Sequence, residues 1–389
     1  MLATCLRFVN LSNPKVYIFD EVYHAFTGRE YLNNHIEAWE WWTTPPKDVA
    51  YEWTHPPVAK YGMVIGMLLF GENSTAWRLG SAIAGVISIY GIYLLVNALT
   101  KNKNIALFSA FLLSIEGLHI AQSRIAMNDM YMMVFFIFAL YSAVKSRWKL
   151  AAVLYGLALG SKWSALYGVV PLAYLYLNQN IKDFRNFRAI IYHVFFSLRL
   201  LLISVFVYVI TFTPFILAGH TWAQWWELHR QMWYYHTHLV ATHSYQSTPL
   251  QWIFDVRPVW YYVKYGTGVV ANIYALGNPA ILWFGLVALI LQIRTIFVRP
   301  YTFFYLLYGI FTIPWIFSPR IMFFYHYLPS ATFLTVIIAL YLGNLSKKSA
   351  LLYCAFAFLV ILIISPMLYG YSVSQSYWDI LFKMLPSWK

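Results

Sequence analysis

The sequence predicts an all-α polytopic membrane protein with about ten transmembrane helices, and three observations carry that prediction. Only 11% of the 389 residues are charged, whereas 61% are hydrophobic and 20% aromatic; soluble domains carry about 25% charged residues. Apolar runs near the length that crosses a bilayer, about 20 residues, recur along the chain. The basic residues behind the net charge of +13 sit in short loops between those runs, the pattern of topology determinants rather than of a nucleic-acid surface.

The runs fall at 77–99, 105–121, 129–145, 196–218, 279–297, 301–317, 324–342 and 350–368. The stretch 150–178 is too long for one ordinary span and holds Gly160-Ser-Lys-Trp163 in its middle. Charge arbitrates. Short loops carry Lys101 and Lys103; Lys145, Arg147 and Lys149; Lys182, Arg185 and Arg188; Arg294 and Arg299; and Lys347 and Lys348, with Asp183 their only acid. The positive-inside rule places all five loops on the cytoplasmic side. That requires 150–178 to cross twice, as two short helices meeting near Lys162. It also requires 56–72 not to cross but to lie at the outer interface as an amphipathic helix. Were 56–72 a span, Lys101 and Lys103 would lie outside.

The chain then reads as one membrane domain over 1–389. Residues 11–76 form an external loop with the interfacial helix, 77–218 an N-terminal helix group, 219–278 a second large external loop, and 279–389 a C-terminal four-helix group and tail. The segment 11–56 holds Asp20, Glu21, Glu30, Glu37, Glu40, Asp48 and Glu52, half of the fourteen acids. Cys5 and Cys354 give no metal-ligand spacing.

Ionisable residues at membrane depth cost roughly 2.5–3.5 kcal/mol each. Arg78, Glu116, Arg124, Asp129, Lys162, Arg257 and Arg320 all fall at external ends of spans. Snorkelling or ion pairing between helices accounts equally well for any one of them. As a set on one face, the cations fit a phosphate whose lipid tail stays in the bilayer, because Arg offers a planar fork and Lys a point charge. Asp20-Glu21 follows Tyr17-Ile-Phe19, where a carboxylate could act as a general base or belong to a solvated acidic loop. His55-Pro-Pro57 opens the interfacial helix as a rigid turn. His236, His238 and His243 lack the carboxylate or cysteine spacing of a common zinc site and sit among aromatics suited to an interface.

Seven stretches, in order, resemble dolichyl-phosphate-mannose–protein mannosyltransferases. Tyr17-Ile-Phe-Asp-Glu-Val-Tyr-His24 resembles the motif that opens the family's first external loop. His55-Pro-Pro-Val-Ala-Lys60, Trp77-Arg-Leu-Gly-Ser81 and the stretch from Leu118 to Asp129 follow. Gly160-Ser-Lys-Trp163 comes next, then His243-Ser-Tyr-Gln-Ser247 with Arg257-Pro-Val-Trp-Tyr-Tyr262, and finally Arg320 to Pro329. The resemblance implies a C-type glycosyltransferase fold with a donor-phosphate cavity at the external face. It implies inverting transfer of mannose from a polyprenyl (dolichyl) phosphate to Ser or Thr hydroxyls of exported proteins. By that analogy Asp20 is the catalytic carboxylate with Glu21 beside it. Arg78 and Lys162 contact the donor phosphate, and His55, Arg124, Asp129, Arg257 and Arg320 support the site.

Two departures stand out. The family has a full span before the Asp-Glu motif, eleven in all, whereas about ten residues precede the loop here; either the start is misassigned, with an apolar stretch upstream of Met1, or the chain is truncated. Eukaryotic members carry a large soluble domain in the loop matching 219–278, for which this loop leaves no room, so the resemblance is to the prokaryotic branch. The expected setting is the plasma membrane, multi-pass, with an extracellular active site. No cofactor is expected, a divalent cation not being excluded. A related transferase acting on a lipid or glycan is the alternative. A transporter fits less well, because no internal hydropathy repeat is visible.

Overall fold

The computed structural model describes residues 1–182 and 186–389; Asp183 and Arg185 of the third basic loop lie outside the described residues. The chain begins with a short helix, α1 (Leu2–Phe8), then runs irregularly to a 3₁₀ turn at Phe19–Val22 and to α2 (His24–Leu32). Helix α3 (Val58–Phe70) follows the Pro-Pro pair. Asn73 then caps the long α4 (Ser74–Thr100), accepting from the backbone N–H groups of Thr75 and Ala76, each at 3.1 Å. Such caps satisfy donors that the first helical turn leaves orphaned.

The stretch 105–121 is not one straight span. It is α5 (Lys103–Ser114) and α6 (Gly117–Ser123), bent by 63° at Ile115-Glu116. The Glu116 carboxylate caps α6, accepting from the N–H groups of Leu118 at 3.1 Å and His119 at 2.7 Å. A carboxylate at membrane depth is thus explained by a helix start. Next come α7 (Asp129–Val144) and α8 (Trp148–Ser161), a 3₁₀ turn at Trp163–Gly168, and α9 (Val169–Asn180). The two short helices expected in 150–178 are present, the first ending at Ser161 beside Lys162 and the second starting at Val169 after the 3₁₀ turn.

Helix α10 (Phe187–Ile210) and the short α11 (Thr213–Leu217) lead into α12 (Trp222–His238), which exposes Trp222, Trp226 and Trp233. After α13 (Pro249–Ile253), strands β1 (Val259–Gly266) and β2 (Val269–Ala275) form an antiparallel hairpin, joined at its far side by β3 (Val373–Ser374). The helical expectation missed this small sheet. Its strands are runs of Val, Ile and Tyr around Gly266-Thr-Gly268, a hairpin signal, and Gly268 takes the left-handed φ of 71° that the turn needs. The ladder slips between Trp260 and Tyr262, a bulge that re-aims Tyr261.

The chain closes with α14 (Pro279–Leu291), α15 (Tyr301–Ile310), α16 (Leu328–Leu342), α17 (Lys347–Ile364), α18 (Pro366–Tyr369) and α19 (Gln375–Met384). By length and composition alone, the helices at Ser74–Thr100, Phe187–Ile210, Phe324–Leu342 and Lys347–Ile364 suffice to cross a membrane, and the bent pair α5–α6 makes a fifth. The remaining apolar helices are shorter.

Helices α3, α4 and α7 meet where Gly62 and Gly80 flank the Tyr131 ring. A Cβ at Gly62 would fall 2.2 Å from a ring carbon and one at Gly80 2.0 Å from the hydroxyl oxygen, so only hydrogen fits at either place. This contact brings together the elements that carry Lys60, Arg78 and Asp129. Lys60 itself is turned inward, and the outward face of α3 is apolar at Ile65, Leu68, Leu69 and Phe70.

The basic loops gather at one end of the bundle. Gln179 donates to the Ala143 carbonyl at 2.9 Å, Arg299 reaches Asn178, and Asn344 donates to the Tyr301 hydroxyl at 3.3 Å. Asn102, Gly343 and Lys347 border one apolar groove. Asp20, Asp129, Lys162, α12 and the sheet lie at the other end. Cysteine substitutions at Lys103 and Lys347 are therefore predicted to react with an impermeant thiol reagent from the same side of the membrane, and one at Trp226 from the opposite side. Reaction of Lys103 and Trp226 positions from one side would overturn this arrangement.

Candidate active site

The turn at Phe19–Val22 sends two adjacent carboxylates in opposite directions. Phe19 adopts φ +46°, a strained conformation for a bulky side chain that must be held by its surroundings. It is held by stacking on Tyr261 at 4.4 Å and by edge contact with Tyr325 at 6.0 Å. Glu21 turns inward and is fully buried. Its carboxylate accepts from Arg78 Nε and Nη2, each at 2.7 Å, from Ala126 N–H at 3.0 Å and from Ile18 N–H at 3.1 Å. Asp20 turns outward, and its carboxylate accepts no hydrogen bond from the described residues.

Arg78 has no donor left for a ligand. Nη1 donates to the Leu11 and Pro14 carbonyls at 3.1 and 2.8 Å, and Nη2 also donates to the Val16 carbonyl at 3.1 Å. All five N–H groups are used, at 1% exposure. The phosphate contact expected of Arg78 is therefore not available to it, and Glu21 is its counter-ion rather than a second reacting carboxylate. A fork suits carboxylate and phosphate equally, so residue type alone could not separate the two.

Two further carboxylates near Asp20 also have cations of their own. Asp129 Oδ1 takes the Lys162 ammonium at 2.8 Å, and that ammonium lies 5.4 Å from the centre of the Tyr325 ring. Glu52 is paired with Lys60 and accepts from His55 Nδ1 at 2.8 Å and from the Thr54 hydroxyl, with His24 Nδ1 3.5 Å away. Burial alone would push the Glu52 carboxyl up, but Lys60, His55 and His24 together hold it well below the usual range. Asp20 lacks such a partner. Burial pushes it up to about 6, against the pull of His24 and Lys162 and with Glu52 and Asp129 adding to the rise. Glu52 and Lys60 were missed as site residues. The signal was present in His55-Pro-Pro-Val-Ala-Lys60, which puts Lys60 one turn into a helix beside an acidic loop.

Asp20 opens onto a cavity of about 670 Å³, whose wall includes His24, Glu52, His55, Tyr235, Arg320 and Tyr325. A second cavity of about 380 Å³ adjoins it, bounded by Lys162, Trp163, Tyr167, His236, Trp315 and His326. His55 and Arg320 border both cavities. The second is walled by aromatics and lies beside the outward-facing Leu166, Ile316 and Phe317. Among the described residues, no three His, Cys, Asp or Glu side chains are disposed to hold a metal ion.

Two expected supports sit elsewhere. Arg124 donates to the carbonyls of Arg7, Val9 and Asn10 at 3.0, 2.6 and 3.2 Å and stacks on Tyr369, pinning the N-terminal segment. Arg257 is half-buried; it donates to the backbone oxygens of Ser244, Ser387 and Lys389 and so ties down the tail. Neither borders the two cavities. Removing one member of a buried ion pair costs about 3–5 kcal/mol. Arg78→Gln is therefore predicted to lower the melting temperature in detergent sharply while leaving ligand affinity of the surviving folded protein unchanged. A stable variant with weakened phosphate-ligand binding would contradict this.

The profile described as dolichyl-phosphate-mannose-protein mannosyltransferase matches residues 1–218. That of the C-terminal four TMM region of protein-O-mannosyltransferase matches residues 221–299. The polyprenol-phosphate-mannose–protein mannosyltransferase of Mycolicibacterium smegmatis is 26% identical over 485 residues, covering 100% of this chain and 91% of that protein. Its counterpart in Mycobacterium tuberculosis is also 26% identical, with coverages of 100% and 90%. The Saccharomyces cerevisiae Pmt1-Pmt2 protein O-mannosyltransferase complex bound to its sugar donor superposes with TM-score 0.81 at 15% identity, covering 100% of this chain and 92% of the matched chain. ArnT from Cupriavidus metallidurans bound to undecaprenyl phosphate gives TM-score 0.62 at 16% identity, with coverages of 99% and 72%. At these identities the structures show a shared fold.

Proposed function

The chain belongs to the dolichyl-phosphate-mannose–protein mannosyltransferase family, and on that premise we propose that it transfers mannose from a polyprenyl phosphate to Ser or Thr hydroxyls of exported proteins. Asp20 is the general base. The observation that carries this reading is the pairing pattern: Glu21, Asp129 and Glu52 each hold a cation of their own, and Asp20 alone is left free at a cavity wall.

The reaction is a single displacement. The acceptor oxygen attacks the anomeric carbon, its proton passes to Asp20, and the bond from the sugar to the phosphate oxygen breaks. The leaving polyprenyl phosphate takes the electron pair and gains a negative charge. Lys162, with donors beyond the one given to Asp129, and Arg320 stabilise that charge, the electrostatic contribution that is usually largest. The aromatic-walled cavity beside lipid-facing side chains suits the head of a lipid donor whose chain remains in the bilayer. No step is assigned to a divalent cation. The active site faces the outside of the plasma membrane, where the five basic loops, being cytoplasmic by charge, would leave it. A Ser- or Thr-bearing polypeptide enters the Asp20 cavity.

The test is a transfer assay with synthetic polyprenyl-phosphate mannose and two acceptors offered separately, a Ser/Thr peptide and a glycolipid. Mannosylated peptide alone is expected; product on the glycolipid alone would overturn the acceptor assignment. A base must be ionised to act, so kcat/KM is predicted to fall as pH drops through about 6. A profile flat from pH 5 to 8 would remove Asp20 as the base. Lys162→Gln is predicted to raise the donor KM and lower kcat, and unchanged values of both would remove Lys162 from the phosphate site.

A further inference from the structure

Arg320 stands in an irregular stretch between the turn at Ile313–Phe317 and the one at Phe324–Tyr327. It is half-buried and borders both cavities. Unlike Arg78, it is lightly held. Nε donates to the carbonyl of its own neighbour Ile321 at 3.3 Å, the Tyr235 ring lies 5.7 Å beneath the guanidinium, and Nη1 meets His236 Nδ1. A long side chain on an irregular segment loses entropy when it is aimed, so whatever fixes it matters for what it binds.

The partners of His236 decide its tautomer. Nε2 lies 2.8 Å from the Thr54 carbonyl oxygen. A carbonyl only accepts, so Nε2 carries the hydrogen. A guanidinium only donates, so Nδ1 must accept. Both neighbours therefore require the same neutral form. Burial and the charge of Arg320 hold His236 down to about 4, which keeps it in that form at neutral pH. Thr54 is fixed in turn, because its hydroxyl donates to Glu52, which Lys60 holds. Around the His236 ring stand His55 at 5.0 Å and Trp163 at 5.9 Å between ring centres.

We propose that His236 is a positioning residue: its Nδ1, braced through Nε2 by the Thr54 carbonyl, aims the Arg320 guanidinium into the space where the two cavities meet, and so sets affinity for the donor phosphate. The inference rests on the phosphate reading of Arg320. It links three external segments, those of Thr54, His236 and Arg320, that are far apart in the chain. The imidazole serves because one rigid ring presents a donor and an acceptor on opposite sides.

The experiment measures donor KM, kcat and melting temperature for Arg320→Gln, His236→Leu, the double variant, and His236→Gln with and without Arg320→Gln. A hydrogen bond involving a charged group is worth roughly tenfold or more in binding. Arg320→Gln is expected to raise donor KM by roughly that factor and to lower kcat as well, because its guanidinium also meets the leaving phosphate; His236→Leu is expected to raise donor KM similarly with kcat changed less, and both to retain the melting temperature. The double variant is expected to match Arg320→Gln alone, because residues acting through one contact are not additive. His236→Gln keeps an acceptor and a donor, and is expected to restore part of the affinity. Should His236→Leu fail to accumulate, His236→Gln carries the test through a small rise in KM that disappears in the Arg320→Gln background. An unchanged KM in the His236 variants, or an effect that persists without Arg320, overturns the positioning role. An unchanged KM in Arg320→Gln overturns instead the phosphate reading on which it stands.

Discussion

The buried fork between Glu21 and Arg78 is the constraint on which the rest of the site depends. Two charges taken out of water are tolerated only when geometry and hydrogen bonding are complete, and here they are. The remaining donors of Arg78 gather the carbonyls of Leu11, Pro14 and Val16, which fixes the irregular segment leading to the turn. The same Glu21 carboxylate accepts from Ala126, three residues before Asp129. One ion pair thus joins the N-terminal segment, the start of α4 and the entry to α7. Asp129 then places Lys162, so the position of that ammonium is set through the same fork that sets Asp20.

This arrangement separates two duties that neighbouring carboxylates could have shared. A carboxylate with a dedicated cation is held in one place by that cation and is not free to receive a proton from a substrate. A carboxylate without one, held at the wall of a cavity shielded from bulk water, is raised toward the working pH. Glu21, Asp129 and Glu52 are of the first kind and Asp20 of the second. The strained Phe19 backbone fits this division, since a left-handed residue directly before Asp20 lets consecutive side chains diverge. Strain of this kind gathers where a side chain must be aimed.

Much of the helical framework was legible in the sequence, because apolar runs and basic loops report the bilayer directly. The interruption of 150–178 was legible from the charge pattern, because the positive-inside reading asked for two short helices there. The β hairpin was overlooked because its aromatic, β-branched strands were read as an interfacial belt, although Gly266-Thr-Gly268 marked the turn. In the site, the residues alone left the base open between Asp20 and Glu21, and only the family resemblance singled out Asp20. In the fold, that choice is made by a positive φ at Phe19, and composition carries no sign of it. Arg78 was misread because its partner lies 57 residues away. Arg124 and Arg257 were grouped with the site because their partners are backbone oxygens, among them those of both chain ends, which the spacing of motifs does not reveal. The contact of His236 with Arg320 spans 84 residues, beyond any local pattern.

The division between Asp20 and Glu21 is the central claim, and pairing two nearly isosteric substitutions tests it most directly. Purified Asp20→Asn and Glu21→Gln would be compared for mannose transfer per folded molecule and for melting temperature. Asp20→Asn should lose roughly 10²–10⁴-fold in kcat with its melting temperature kept. Glu21→Gln should melt at a markedly lower temperature, because it leaves the Arg78 guanidinium buried without its counter-charge. The opposite pattern, a stable inactive Glu21→Gln beside an active Asp20→Asn, would contradict the account.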